Sequence, residues 1–169
     1  NEVWKATGGY FDPTVGALVN AYGYGPKASA NPINPEKKDS LLQLTGWQKI
    51  VLNENNTIAK QFPEIYIDFN ALAKGYTVDI IGNFLQALGS SDYMVEIGGE
   101  IVARGNSPKT QKAWKIAIED PRQGEERQFL QTIRLDNQAL ASSGNYRKNR
   151  IDPTTGERFV HSISPLTGS

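Results

Sequence analysis

Apolar and polar positions follow two different periods along this chain, and the switches between them divide it into elements. Residues 14–22 carry Val15, Leu18, Val19 and Tyr22 at helical spacing, with Thr14 placed to cap them, so a short helix is expected there. Asn1-Glu2-Val3-Trp4 reads as part of another helix. Gly23, Gly25, Pro26, Pro32 and Pro35 make 23–35 a loop, and Pro35 opens a helix over about 36–44 that stops at Gly46. Residues 47–52 and 57–61 flank Asn53-Glu54-Asn55-Asn56 as a hairpin, and 64–68 reads as a third strand. The longest periodic stretch, 70–88, predicts a helix on which Leu72, Ala73, Tyr76, Ile80, Phe84 and Leu88 share one broad apolar face, ended by Gly89. Short alternating runs follow near 93–97, 100–104, 114–119, 131–135, 139–142 and 158–163. Hairpins outnumber any strand–helix–strand pattern. The expected class is α+β, with largely antiparallel sheets packed with a few helices.

The 169 residues suffice for one compact domain, and the whole chain is read as a single domain. Lys plus Arg and Asp plus Glu are balanced at 18 each, which argues against a nucleic-acid partner or an anionic membrane surface. The absence of cysteine excludes disulfides, thiolate metal sites and cysteine nucleophiles. No apolar run approaches the roughly 18 residues of a membrane span. The first residue is not methionine and both ends read as lying within elements, so the stretch is expected to be a piece of a longer protein.

Four places carry candidate chemistry, and each also has a plain structural reading. Gly8-Gly9-Tyr10-Phe11-Asp12-Pro13-Thr14-Val15-Gly16 is either a ligand-approaching glycine loop before a helix N-terminus or a capped helix with a loose lead-in; no P-loop Gly-Lys-Ser/Thr follows. Asp68 and Lys74 flank the start of the long helix, as a charged mouth or as a cap and a solvated lysine. Gly75 lowers helix propensity by about 1 kcal/mol relative to alanine, which suggests close approach by a backbone or a ligand. Gly98-Gly99 between two strands is a tight turn, or a platform under a flat ring. His161 is the only histidine, a natural general base or merely a strand-end residue. Ser142 and Ser143 lack a Gly-x-Ser-x-Gly elbow.

Taken in order, these motifs resemble the ApbE family of bacterial FAD:protein FMN transferases, once called thiamine biosynthesis lipoproteins. The matching residues are Gly9 to Gly16 through Leu18-Val19-Asn20, Asp68 to Asp79, Val95-Glu96-Ile97-Gly98-Gly99-Glu100, Ser143-Gly144-Asn145-Tyr146-Arg147, and His161 with Pro165 and Thr167-Gly168. The resemblance implies an enzyme that splits the FAD pyrophosphate, moves FMN to a threonine of an acceptor flavoprotein and releases AMP, with Mg2+. It implies FAD contacts from Asp68 and Lys74, a flavin site lined by Tyr10, Phe11 and Asp12, a metal ligand in the Ala71 carbonyl, and His161 near the phosphates. Gly98 and Gly99 belong to the same cofactor-binding set. Alternatives from the same pocket are an FAD pyrophosphatase, a non-catalytic flavin-binding or trafficking module, or an interaction domain that keeps only the fold.

Two departures stand out. Ala141-Ser142-Ser143-Gly144 replaces an Ala-Thr-Ser-Gly common in the family, and Ser164 stands before Pro165 where aspartate is common. Ile151-Asp152-Pro153-Thr154-Thr155-Gly156 repeats the latter phrase without its histidine and reads as the turn of a hairpin. The family's Ala-Asp…Thr metal segment and its N-terminal strands are not in these 169 residues, so this stretch alone is expected to hold Mg2+ poorly. By the same resemblance the protein is expected on the periplasmic face of the inner membrane, lipid-anchored through a segment outside this stretch.

Overall fold

The computed structural model describes residues 1–27, 33–122, 128–145, 149–151, 156 and 158–169. In chain order the elements are α1 (Glu2–Ala6), α2 (Gly16–Ala21), α3 (Pro35–Leu42), β1 (Ile50–Leu52), β2 (Ile58–Lys60), α4 (Asn70–Ala87), β3 (Tyr93–Ile97), β4 (Glu100–Arg104), β5 (Asn106–Ser107), β6 (Lys112–Glu119), β7 (Phe129–Leu135), β8 (Ala139–Leu140), β9 (Asn149–Ile151) and β10 (Arg158–Val160). Every described ladder is antiparallel. The expected α+β class is the one observed. The chain gathers into two compact units, Asn1–Phe69 with Arg147–Ser169, and Asn70–Tyr146.

The first unit is built from short elements and turns. A 3-10 turn, Pro13–Val15, precedes α2. Its cap is the Asp12 carboxylate and not Thr14, because the Asp12 side chain accepts the Thr14 N–H. Pro35 takes the first position of α3, capped by Asn34 through the Lys37 N–H at 2.8 Å. Leu18, Leu41 and Ile65 are buried. The expected hairpin is present as β1–β2, shortened because Trp47–Lys49 forms a 3-10 turn. The strand expected at 64–68 is not one among the described residues. It stays extended without a ladder, tied instead by the Asp68 N–H to the Pro13 carbonyl at 2.7 Å. The phrase 151–156 is bracketed by the β9–β10 ladder, in which Ile151 faces Arg158, as its reading as a hairpin turn requires. Asp152, Pro153, Thr154 and Thr155 themselves lie outside the described residues.

The second unit has two three-stranded sheets, ordered β3-β4-β8 and β5-β6-β7. Ile101, Ala103 and Leu135 form its buried centre, with Trp114, Ile116, Ile133 and Leu140 packed around them. The Trp114 indole N–H satisfies the Arg104 carbonyl at 2.9 Å. The run expected at 139–142 pairs only over Ala139–Leu140, and β5 was not anticipated. Helix α4 packs on β3 and β4. It ends as the sequence suggests: Gly89 takes φ +88°, and the N–H groups of Gly89 and Ser90 bond the Gln86 and Leu85 carbonyls. The broad apolar face read from the sequence is not the side seated on the sheet. That side is a narrow stripe of Val78, Gly82 and Leu85. At Gly82 an added Cβ would lie 3.1 Å from the Tyr93 ring and 3.2 Å from Val102 Cγ1, so glycine sets how closely the helix approaches.

Two predictions follow from packing and charge. Gly16 has an ordinary helical φ of −58°, but a Cβ there would stand 2.3 Å from Tyr66 Cδ1 and 2.6 Å from the Tyr66 carbonyl oxygen. Gly16→Ala is therefore expected to destabilise the chain by roughly 1–3 kcal/mol, read as a lower urea midpoint, despite alanine's better helix propensity. Asp92 is held below the ordinary carboxylate value of 3.8, first by the Asn106 backbone N–H at 2.6 Å and then by the Ser91 hydroxyl, against partial desolvation. A depressed folded-state pKa stabilises above the unfolded value and is lost as pH falls through the folded one. Asp92→Asn should thus flatten the loss of stability between pH 4 and lower values, as followed by thermal melts.

Candidate functional site

In the first unit the Gly8-to-Gly16 motif is organised around one buried carboxylate. Asp12 is 6% exposed and Thr14 fully buried. Asp12 Oδ1 accepts the Thr14 N–H at 2.9 Å and the Thr14 hydroxyl at 2.6 Å, and Oδ2 accepts the Trp47 N–H at 2.7 Å. The Thr14 hydroxyl oxygen accepts in turn from the Gly46 N–H at 2.6 Å. A buried carboxylate needs such donors, and here they come from its own turn and from a loop 35 residues away. Asp12 therefore faces inward and holds the loop. Tyr10, 70% exposed, and the half-buried Phe11 are the members of this trio with surface to offer a ring. Gly8 and Gly9 have φ of +59° and +87°, conformations that glycine adopts freely. At Gly9 a Cβ would crowd Leu166 at 3.3 Å, so Gly9 packs against the C-terminal turn of its own unit, whereas a Cβ on Gly8 would meet nothing within 4 Å.

That turn is closed by Ser164. Its hydroxyl oxygen accepts the N–H groups of Leu166 and Thr167 at 3.3 Å each, and its carbonyl accepts the Gly168 N–H at 2.8 Å. An aspartate would accept the same two donors, so serine preserves the turn at the cost of a charge. The Tyr22 hydroxyl donates to the Gly168 carbonyl at 2.6 Å, tying α2 to it. His161 is half-buried, with the Tyr24 ring edge-on at 6.3 Å between centroids. Asp68 is half-buried at the end of the extended run.

In the second unit the lysine and the glycine pair come together. Gly98 and Gly99 have φ of +56° and +96°, as the two central positions of a tight hairpin turn require. The Lys74 ammonium donates to the Gly98 carbonyl at 3.0 Å and pairs with the Glu100 carboxylate. A Cβ on Gly98 would sit 3.3 Å from the Lys74 stem, and one on Gly99 3.5 Å from the Ser142 hydroxyl. The Gly99 N–H bonds Glu96 Oε1 at 3.2 Å. Glu96 and Glu100 belong to the matched motif but have no role assigned from sequence; acids two residues before and one residue after a Gly-Gly turn, with a lysine on the preceding helix, are the available signal. The close approach expected at Gly75 is not made by any described residue, since a Cβ there meets nothing within 4 Å. Ala71 lies in the first turn of α4. Among the described residues no three His, Cys, Asp or Glu side chains gather as a metal cage. Tyr146 and Arg147, part of the Ser143-to-Arg147 motif, lie outside the described residues.

The model of the ApbE family matches residues 1–169. The chain belongs to the ApbE family. It is 41% identical over 173 residues to the FAD:protein FMN transferase of Haemophilus influenzae, covering 97% of this chain and 48% of that protein. The Escherichia coli enzyme of the same name is 31% identical over 167 residues, covering 96% of this chain and 46% of the relative. Among solved structures, the flavin transferase ApbE from Vibrio cholerae superposes with a TM-score of 0.84 at 36% identity, over 99% of this chain and 52% of that one. The Thermotoga maritima ApbE protein gives 0.83 at 28% identity. The chain thus spans about half the length of the curated relatives it matches.

The Asp12 geometry gives a direct test of its role. An asparagine places an N–H donor against either the Trp47 or the Thr14 N–H. Asp12→Asn is expected to lower stability by about 1–3 kcal/mol in urea melts without any flavin present. Unchanged stability would return Asp12 to the ligand-lining role read from the motif.

Proposed function

We propose that this chain supplies the flavin-binding part of an FAD:protein FMN transferase. The observation that carries the reading is the Lys74 ammonium, fixed against the Gly98–Gly99 turn and still 45% exposed, in a chain of the ApbE family. The substrate is FAD, and the acceptor is a flavoprotein threonine. In the reaction the threonine oxygen attacks the phosphorus on the FMN side of the pyrophosphate. The bond from that phosphorus to the bridging oxygen breaks, AMP leaves with that oxygen, and the hydroxyl proton passes to His161 as general base. Lys74 offsets charge on the phosphates. Tyr10 and Phe11 offer ring surface to the isoalloxazine, and Asp68 contacts FAD from the end of its extended run.

Mg2+, when bound, would neutralise phosphate charge. The Ala71 carbonyl is a hard oxygen donor of the kind Mg2+ takes. With no acidic cage among the described residues, the other ligands would come from the part of the family's length outside this chain. Periplasmic, lipid-anchored placement belongs to the same proposal, with the anchor outside these residues.

The test uses the Vibrio cholerae relative with its matched stretch replaced by this chain. Given FAD, Mg2+ and a threonine-bearing acceptor, the acceptor's intact mass should rise by one FMN, and withholding Mg2+ should stop the gain. Lys74→Ala is expected to slow transfer about 100-fold, and His161→Ala comparably. Free FMN with no labelled acceptor would overturn the transferase reading in favour of a pyrophosphatase. Full activity in Lys74→Ala would remove the lysine from the site.

A further inference from the structure

Helix α4 is apolar on two opposite sides. At about 100° per residue, Val78, Gly82 and Leu85 cluster on the arc seated on β3 and β4. Diametrically across from them, Leu72, Tyr76, Ile80 and Phe84 run down the helix, continued by Leu88. They are 47%, 68%, 50%, 62% and 69% exposed. The two charges of the helix, Lys74 and Asp79, lie at the borders between the two arcs, so the outward half carries none. A helix with this pattern is one built to be covered on both sides. An uncovered apolar strip of this length exceeds the scattered single exposures of an ordinary surface.

We infer that the outward face of α4 is a docking surface for the portion of the ApbE fold that this chain does not span. The length argues for that occupant: the relatives are about twice as long as the stretch matched here, and the Vibrio cholerae structure extends well beyond the superposed part. The chemistry agrees. A face without charge has nothing to pair with anionic lipid headgroups or an acidic peptide, and matches instead an apolar face of another packed element. In this arrangement α4 is an internal layer, with the β3-β4-β8 sheet on one side and the remainder of the family fold on the other.

The chain contains no cysteine, so one introduced thiol reports one position. The test places Phe84→Cys in the Vibrio cholerae relative carrying this chain as its matched stretch, with any cysteine elsewhere replaced by serine, and follows maleimide labelling by mass. Labelling of the native protein should be about tenfold or more slower than that of the exposed control Lys109→Cys, equal to it in urea, and unchanged on dilution. Ile80→Cys reads the same face should Phe84→Cys fail to fold by circular dichroism. Labelling as fast as the control overturns the inference. So does protection that vanishes on dilution, which would mean that a second copy covers the face. No flavin is added, so the result stands apart from the fate of the transferase proposal.

Discussion

The first unit depends on the Asp12 carboxylate being satisfied. A carboxylate removed from water is tolerated only when donors replace its hydration, and each missing donor leaves a penalty of about 1–3 kcal/mol. Here three donors converge on two oxygens, and the Thr14 hydroxyl passes the chain of bonds on to the Gly46 N–H. The bonds fix the lead-in of α2 to the loop before β1. The Asp68 N–H bond to the Pro13 carbonyl then lays the extended run beside the same turn. Gly16 completes the arrangement by leaving room for the Tyr66 ring. The Gly8-to-Gly16 motif is thus explained in good part by architecture, and its surface chemistry narrows to Tyr10 and Phe11.

The elements with a strong single period were legible in the sequence. Helix α4 and the Gly89 stop come directly from 3.6-residue spacing and a left-handed glycine. The β3–β4 hairpin was readable because two central glycines between alternating strands leave little choice of turn. What failed did so for identifiable reasons. Thr14 and Asp12 both suit a cap, and only the spatial neighbour Trp47 decides between them. Residues 64–68 read as a strand from the apolar run Ile65-Tyr66-Ile67, but such a run cannot supply a partner. The sheet-facing side of α4 is not legible because its centre is Gly82, which adds no hydrophobic signal while permitting the closest packing.

Of the candidate site, the sequence offers the motifs without their internal geometry. Lys74 and the Gly98–Gly99 turn were picked out separately, and their direct contact depends on how α4 lies on β3 and β4. Glu100 was part of the matched motif but had no role assigned, although its charge faces the lysine. A histidine at a strand end and a lysine on a helix can be named from sequence. Which partners hold them cannot, because those partners are distant along the chain.

The Lys74 contacts also bear on how such a site would meet a phosphate. The Lys74 side chain is 45% exposed and that of Glu100 16%. The lysine end is open to solvent, whereas the Glu100 oxygen it pairs with is shielded from water. The bond to the Gly98 carbonyl adds direction, aiming the ammonium along the glycine turn. A lysine held this way has its rotamer selected in advance, so ordering it costs little when an anion arrives. The exposed side of the ammonium can meet a pyrophosphate while its other side stays on Glu100, so the shielded carboxylate keeps its partner. A fully buried pair would aim the lysine equally well, but breaking it would cost several kcal/mol and leave an uncompensated charge. Exposure of the lysine end of the pair is therefore the condition under which Lys74 can be both positioned and available.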